Sequence, residues 1–211
     1  MSLRNSFIGI LTVYGMRMWG QEAFIPVEDT FKLKSRIILM AKSTSTLQSD
    51  FVQIKDLSLL REKITSYGHF WYKNENHLRW EYQKPYSYLI LMEGNKLQIR
   101  SENKTKTFHL GGNKFFQELN TLITSCINGE IVGSGKFKIH YFKNQAFFKL
   151  ELVPYSKEMG ETLSKAELYF NAELSSVVKI ELWEASGDLT LIEFKGTIRN
   201  AEISDTHFTL H

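Results

Sequence analysis

"GHFWYKNENHLRWEYQKPYSYLILMEGNKLQI" (residues 68–99) is the stretch whose reading decides the fold class. Side chains of a strand point alternately to its two faces. In residues 77–82 this places Leu78, Trp80 and Tyr82 on one face and His77, Arg79 and Glu81 on the other. The run before it sets Phe70 and Tyr72 against Trp71 in the same way. Polar breaks at Asn74–Asn76, Lys84-Pro85 and Glu93-Gly94-Asn95 are too short to hold crossover helices. An antiparallel sheet follows, greasy on one side and wet on the other.

Upstream, "LQSDFVQIKDL" alternates as another strand, although its facing is ambiguous. Downstream, "GKFKIHYFK", "AFFKLELV", "KAELYF", "SVVKIELWE" and "LTLIEFKGTI" continue the pattern between turn residues, and Phe137, Ile139 and Tyr141 share one face. The spacing predicts roughly ten or eleven strands in one meandering sheet. Two helices accompany it. Residues 29–42, capped by Asp29 or Thr30, carry Phe31, Ile37, Ile38 and Ala41. "NKFFQELNTLITSCING" spaces Phe115, Leu119, Leu122, Ile123 and Cys126 or Ile127 by threes and fours, with Gly129 as its stop.

A chain of 211 residues, 43% hydrophobic and 23% charged, has the material for one domain. Its first twenty residues order two arginines, an apolar run and Gly20 in the manner of a secretory leader. The expected organisation is a signal peptide over 1–20 and a single domain over 21–211. Without Arg4 and Arg17 the formal charge falls from +3 to +1, so electrostatics give no reason to expect a nucleic-acid partner. The lone cysteine, Cys126, excludes an internal disulfide and is expected to pack as a small hydrophobe.

The reading is not that of an enzyme. There is no nucleophile elbow, P-loop or His-Glu metal helix, and "GSGKF" at 133–137 has a turn's spacing, not a phosphate loop's. His207 and His211 lie four apart at the end of the chain, where a frayed tail is the plainer reading than a metal pair. Neither a metal nor a cofactor is expected. Single buried rings are ordinarily core. Their collective excess is harder to absorb, because two helices cannot cover ten strands and part of the apolar face should remain as a groove suited to an acyl chain.

The order of "SDFVQ", the aromatic strand pair, "GNKLQI", a mid-chain helix, "GKFKI", "LVPYSKEM" and "SGDLTLIEF" resembles that of the LolA-type outer-membrane lipoprotein carriers, over roughly Asp29 to Phe208, nearly the whole chain after the expected leader. The resemblance implies an unclosed antiparallel β-barrel under a helical lid. It implies a periplasmic, soluble, monomeric carrier that buries the acyl chains of lipoproteins, is loaded by an inner-membrane ABC-type release complex and is emptied by an outer-membrane acceptor. A non-catalytic sheet domain that binds a lipid or partner without transport is the alternative.

The candidate groove lining is Phe51, Phe70 and Tyr72, then Leu78, Trp80 and Tyr82, with Leu89, Phe137 and Ile139 beyond them. Lid and latch candidates are Phe31, Ile38, Lys73 and Asn74. Many members carry an arginine directly after the W-x-K of the first long strand, where it hydrogen-bonds the lid backbone. Asn74 stands there in this chain, and Asn74, Lys73 or Arg79 is left to take over the bond.

Overall fold

The computed structural model describes residues 23–74, 77–94, 96–102, 104–109, 124–127 and 129–210. The leader expected over 1–20, and Phe115, Leu119, Leu122 and Ile123 of the expected second helix, lie outside the described residues. Strands β1 (Ile25–Pro26), β2 (Thr46–Asp56), β3 (Ile64–Lys73), β4 (His77–Lys84), β5 (Tyr88–Glu93), β6 (Lys96–Ser101) and β7 (Lys104–His109) form the first part of the chain. The second part supplies β8 (Phe137–Lys143), β9 (Phe147–Pro154), β10 (Leu163–Asn171), β11 (Val177–Glu184) and β12 (Leu189–Arg199).

All twelve lie in one antiparallel sheet of order β1-β8-β9-β10-β11-β12-β2-β3-β4-β5-β6-β7. Pairing of β12 with β2 welds two meanders together, and the outermost strands β1 and β7 leave the sheet unclosed. Two strands exceed the sequence expectation. Strand β7, KTKTFH, is exposed at every residue, so it has no greasy face to read; lysines along such an edge also discourage pairing with another chain. Strand β1 is two residues long.

Residues of one face, from Phe51, Phe70 and Trp80 round to Phe137, Leu150, Leu168, Ile180 and Ile192, meet in one buried cluster, so the sheet curls about its own side chains. Close packing at β3 depends on Gly68. A Cβ there would stand 2.0 Å from the Glu81 carbonyl oxygen and 2.7 Å from the Phe51 ring. The bare backbone lets that ring lie across the strand beside a register shift between Tyr67 and Gly68.

The helix α1 (Thr30–Lys42) begins at Asp29, whose carboxylate accepts the Lys32 backbone N–H at 2.9 Å. It buries Leu33, Ile37 and Ala41, one face at a spacing of four. Phe31, expected on that face, is 80% exposed, because two residues of helix turn it about 200° from Leu33. Ile38 is half-buried and lies beside Gly129, which sits at φ +70 with no room for a side chain against Ala41.

On the outer face the C-terminal segment crosses β4 and β5. Ile203 and Phe208 are buried there, Lys73 pairs with Asp205, and the Arg79 guanidinium donates to the His207 carbonyl at 2.9 Å.

Candidate functional site

The register decides which of the candidate residues share the interior. Tyr72 faces Leu78, Phe70 faces Trp80, and Gly68 faces Tyr82, while Leu47, Ser49, Phe51 and Gln53 of β2 oppose Tyr72, Phe70, Gly68 and Ser66. Directly opposed residues share a face. Phe51, Phe70, Tyr72, Leu78, Trp80 and Tyr82 therefore form one inner wall, each no more than 6% exposed. Across the interior, Phe137 and Ile139 join it through the pairs Phe137–Pro154 and Ile139–Leu152.

Leu89 does not belong there. It opposes Glu81, and Leu91 opposes Arg79, so both leucines point to the outer face, on the side the C-terminal segment crosses. Strand β5 reads YLILME, apolar on both sides, and only that cover makes its outer leucines buried.

The rings on the inner wall pack edge to face. Phe51 lies 4.9 Å from Trp80 and 5.0 Å from Tyr82, Phe70 lies 5.0 Å from Trp80, and Phe194 of β12 lies 6.1 Å from Trp80. Tyr82 and Tyr88 stack at 4.0 Å. Among the described residues, these rings pack against one another over much of the face that the sequence leads one to expect as open space. Among the same residues, an apolar cavity of about 40 Å³ lies at the α1 end, lined by Met40, Leu47, Phe70, Cys126, Ile180 and Phe194 among others. That is room for about one water molecule.

Beyond Trp80, away from α1, the inner wall becomes polar. Gln53, Ser66 and Thr190 are buried on it, and the Tyr82 hydroxyl donates to Gln53 Oε1 at 2.8 Å. Burial, reinforced by Tyr88, pushes the Tyr82 hydroxyl far above the ordinary tyrosine range, so it stays a neutral donor. Burial also raises Tyr141 to about 12 and keeps the Cys126 thiol protonated and unreactive.

Among the described residues, Asn74, Lys73 and Arg79 are bonded elsewhere than to α1. The Asn74 side-chain Oδ1 accepts from the Tyr72 hydroxyl at 3.2 Å, Lys73 binds the C-terminal segment, and Arg79 divides its donors between that segment and Glu81. The fastening belongs to Arg199, at the end of β12. Its guanidinium donates to the Met40 carbonyl at 2.9 Å, Ser43 Oγ at 2.9 Å and Thr44 Oγ1 at 2.7 Å. Next to it, the Asn200 amide donates to the Ser43 carbonyl and accepts from the Ser45 N–H, both at 2.8 Å. Nothing local in the sequence marks these residues, whose partners lie about 155 positions away.

An open, curled antiparallel sheet with an oily inner wall and a helix at its end defines the architecture. The chain belongs to the family of the outer membrane lipoprotein carrier protein LolA, whose model matches residues 42–211. An outer-membrane lipoprotein carrier protein of Methylococcus capsulatus is 25% identical over 185 residues, 87% of this chain and 84% of that one. Two solved structures share the fold. A DUF1329 family protein from Desulfovibrio piger superposes with TM-score 0.50 at 12% identity, covering 87% of this chain and 97% of that one. An uncharacterized conserved protein from Thermus thermophilus superposes with TM-score 0.52 at 8% identity, covering 86% and 94%.

Proposed function

We propose that this chain is a periplasmic carrier that takes up the acyl chains of lipoproteins between its sheet and α1 and delivers them to the outer membrane. The observation that carries this reading is the inner wall: an apolar surface running from the α1 end as far as Trp80, in a sheet left unclosed at β1 and β7, under a helix that buries Leu33, Ile37 and Ala41. Shielding a sixteen-carbon chain from water is worth about 13 kcal/mol gross, at about 0.8 kcal/mol per methylene. Loading does not need all of it, since the membrane that gives up the chain is also apolar.

The cavity of about 40 Å³ among the described residues admits no such chain, and in this reading uptake has α1 lift and the rings of the inner wall part. The closed form is then the unloaded carrier, its rings standing where tails will lie. An inner-membrane ABC-type release complex would supply the lipoprotein and an outer-membrane acceptor would remove it, with the chain acting as a monomer.

Native mass spectrometry of the protein gently isolated from cells tests the proposal. A stoichiometric acylated polypeptide is expected on the wild type. Leu78→Glu, which puts a charge on the inner wall, is expected to remove it by at least tenfold while a folded sheet persists by circular dichroism. Wild-type protein that is always free of acyl ligand overturns the carrier reading.

A further inference from the structure

Trp80 stands at the centre of the inner wall, 5% exposed, with its indole N–H fully buried and without a hydrogen-bond partner among the described residues. It stacks beside Tyr82 at 6.4 Å and lies near enough to favour that phenol's ionised form slightly, but the geometry is not that of a hydrogen bond. A buried donor left unmade is costly, and a phenylalanine would fill much of the same space without that cost.

The surroundings tell which acceptor would suit. On the α1 side of Trp80 are Phe70 and Phe194, which touch its ring and line the apolar cavity. On the far side are Gln53, Ser66, Tyr82 and Thr190. An amphiphile lying along this gradient has its hydrocarbon toward α1 and its first polar atoms level with Trp80. We infer that the Trp80 N–H is a recognition point for the acyl-ester carbonyl oxygen of the bound ligand, which makes the interior selective for esterified fatty chains over bare hydrocarbon. This inference rests on the carrier reading above. The same ester chemistry occurs in a lipoprotein's diacylglyceryl group and in a phospholipid, so the test must separate the two.

Calorimetric titration with a synthetic dipalmitoylglyceryl-cysteine peptide and with its dialkyl ether twin isolates the carbonyl. The wild type is expected to bind the ester about fivefold more tightly, the worth of one neutral hydrogen bond. Trp80→Phe is expected to bring the ratio of ester to ether affinity to about one, whatever it does to the two affinities together. Replacement of Trp80 by β-(3-benzothienyl)alanine, which keeps the shape and lacks the N–H, gives the same result if the phenylalanine variant folds poorly. The Trp80 indole proton resonance should move downfield with the ester and stay with the ether.

A matching pair of dipalmitoyl and dialkyl phosphatidylglycerols identifies the source: preference in the peptide pair alone assigns the lipoprotein, and preference in the phospholipid pair alone assigns free lipid. Equal wild-type affinity for ester and ether, or equal losses for both in the Trp80 variants, overturns the inference and leaves the carrier reading standing. Failure of the wild type to bind any of the four overturns both.

Discussion

Gly68 is a residue at which the inner wall is most sharply constrained. Any side chain at 68 must displace the Glu81 carbonyl, to which β3 is paired, or the Phe51 ring, which touches Trp80 and Tyr82. Neither yields cheaply in a close-packed interior. Gly68→Ala is therefore expected to cost about 3 kcal/mol, well beyond the ordinary effect of alanine in a strand, and urea unfolding measures it. A cost below about 1 kcal/mol would mean that the rings are looser than their distances indicate. The sequence shows this aromatic wall clearly, because residues 77–82 alternate strictly. It misleads at Leu89, where neighbouring apolar residues serve two different faces and parity cannot assign them.

At the scale of elements, α1 and its fastening decide how the interior opens. The helix is legible from Asp29 onward, with Ile37 and Ala41 of its buried face, but Phe31 and Ile38 look as apolar as Leu33, and packing selects Leu33 instead of them. The latch was invisible, since Arg199 reaches α1 only after the meander has closed β12 on β2. Arg199 satisfies the Met40 carbonyl in the last turn of α1 and two hydroxyls beyond it, and among the described residues it is the charge that grips that turn. Arg199→Ala is expected to lower the local opening energy of residues 40–45 by about 2 kcal/mol, which makes their amide exchange about 30-fold faster. Uptake of an acylated peptide should quicken with it, as opening precedes entry. Exchange that stays at the wild-type rate would remove Arg199 from any account of the lid.

Across the whole molecule, the curled sheet divides its chemistry between its faces, hydrocarbon within and paired charge without. The outer surface of β9–β11 shows how a face turned from the core can still contribute to stability. Glu167 is 5% exposed there, accepting from the Tyr169 hydroxyl at 2.6 Å, Lys165 at 3.0 Å and Lys149 at 3.3 Å, while Lys149 and Tyr169 lie against the Phe24 ring. Burial pushes the carboxyl up, yet the Tyr169 hydroxyl, Lys165 and Lys149 together hold it below its ordinary value of 4.5. Because the folded chain binds this proton less readily than the unfolded one, Glu167 contributes its full stability above about pH 4.5, and loses it as the pH falls through the lower folded value. Glu167→Gln removes that dependence. It is expected to cost about 2 kcal/mol at pH 7, by leaving Lys149 without its carboxylate, and progressively less toward pH 3, so that wild-type and variant melting curves converge in acid. Curves that stay parallel from pH 7 to pH 3 would show that Glu167 acts by packing alone, and would leave the fastening of β9 to β10 to the backbone ladder.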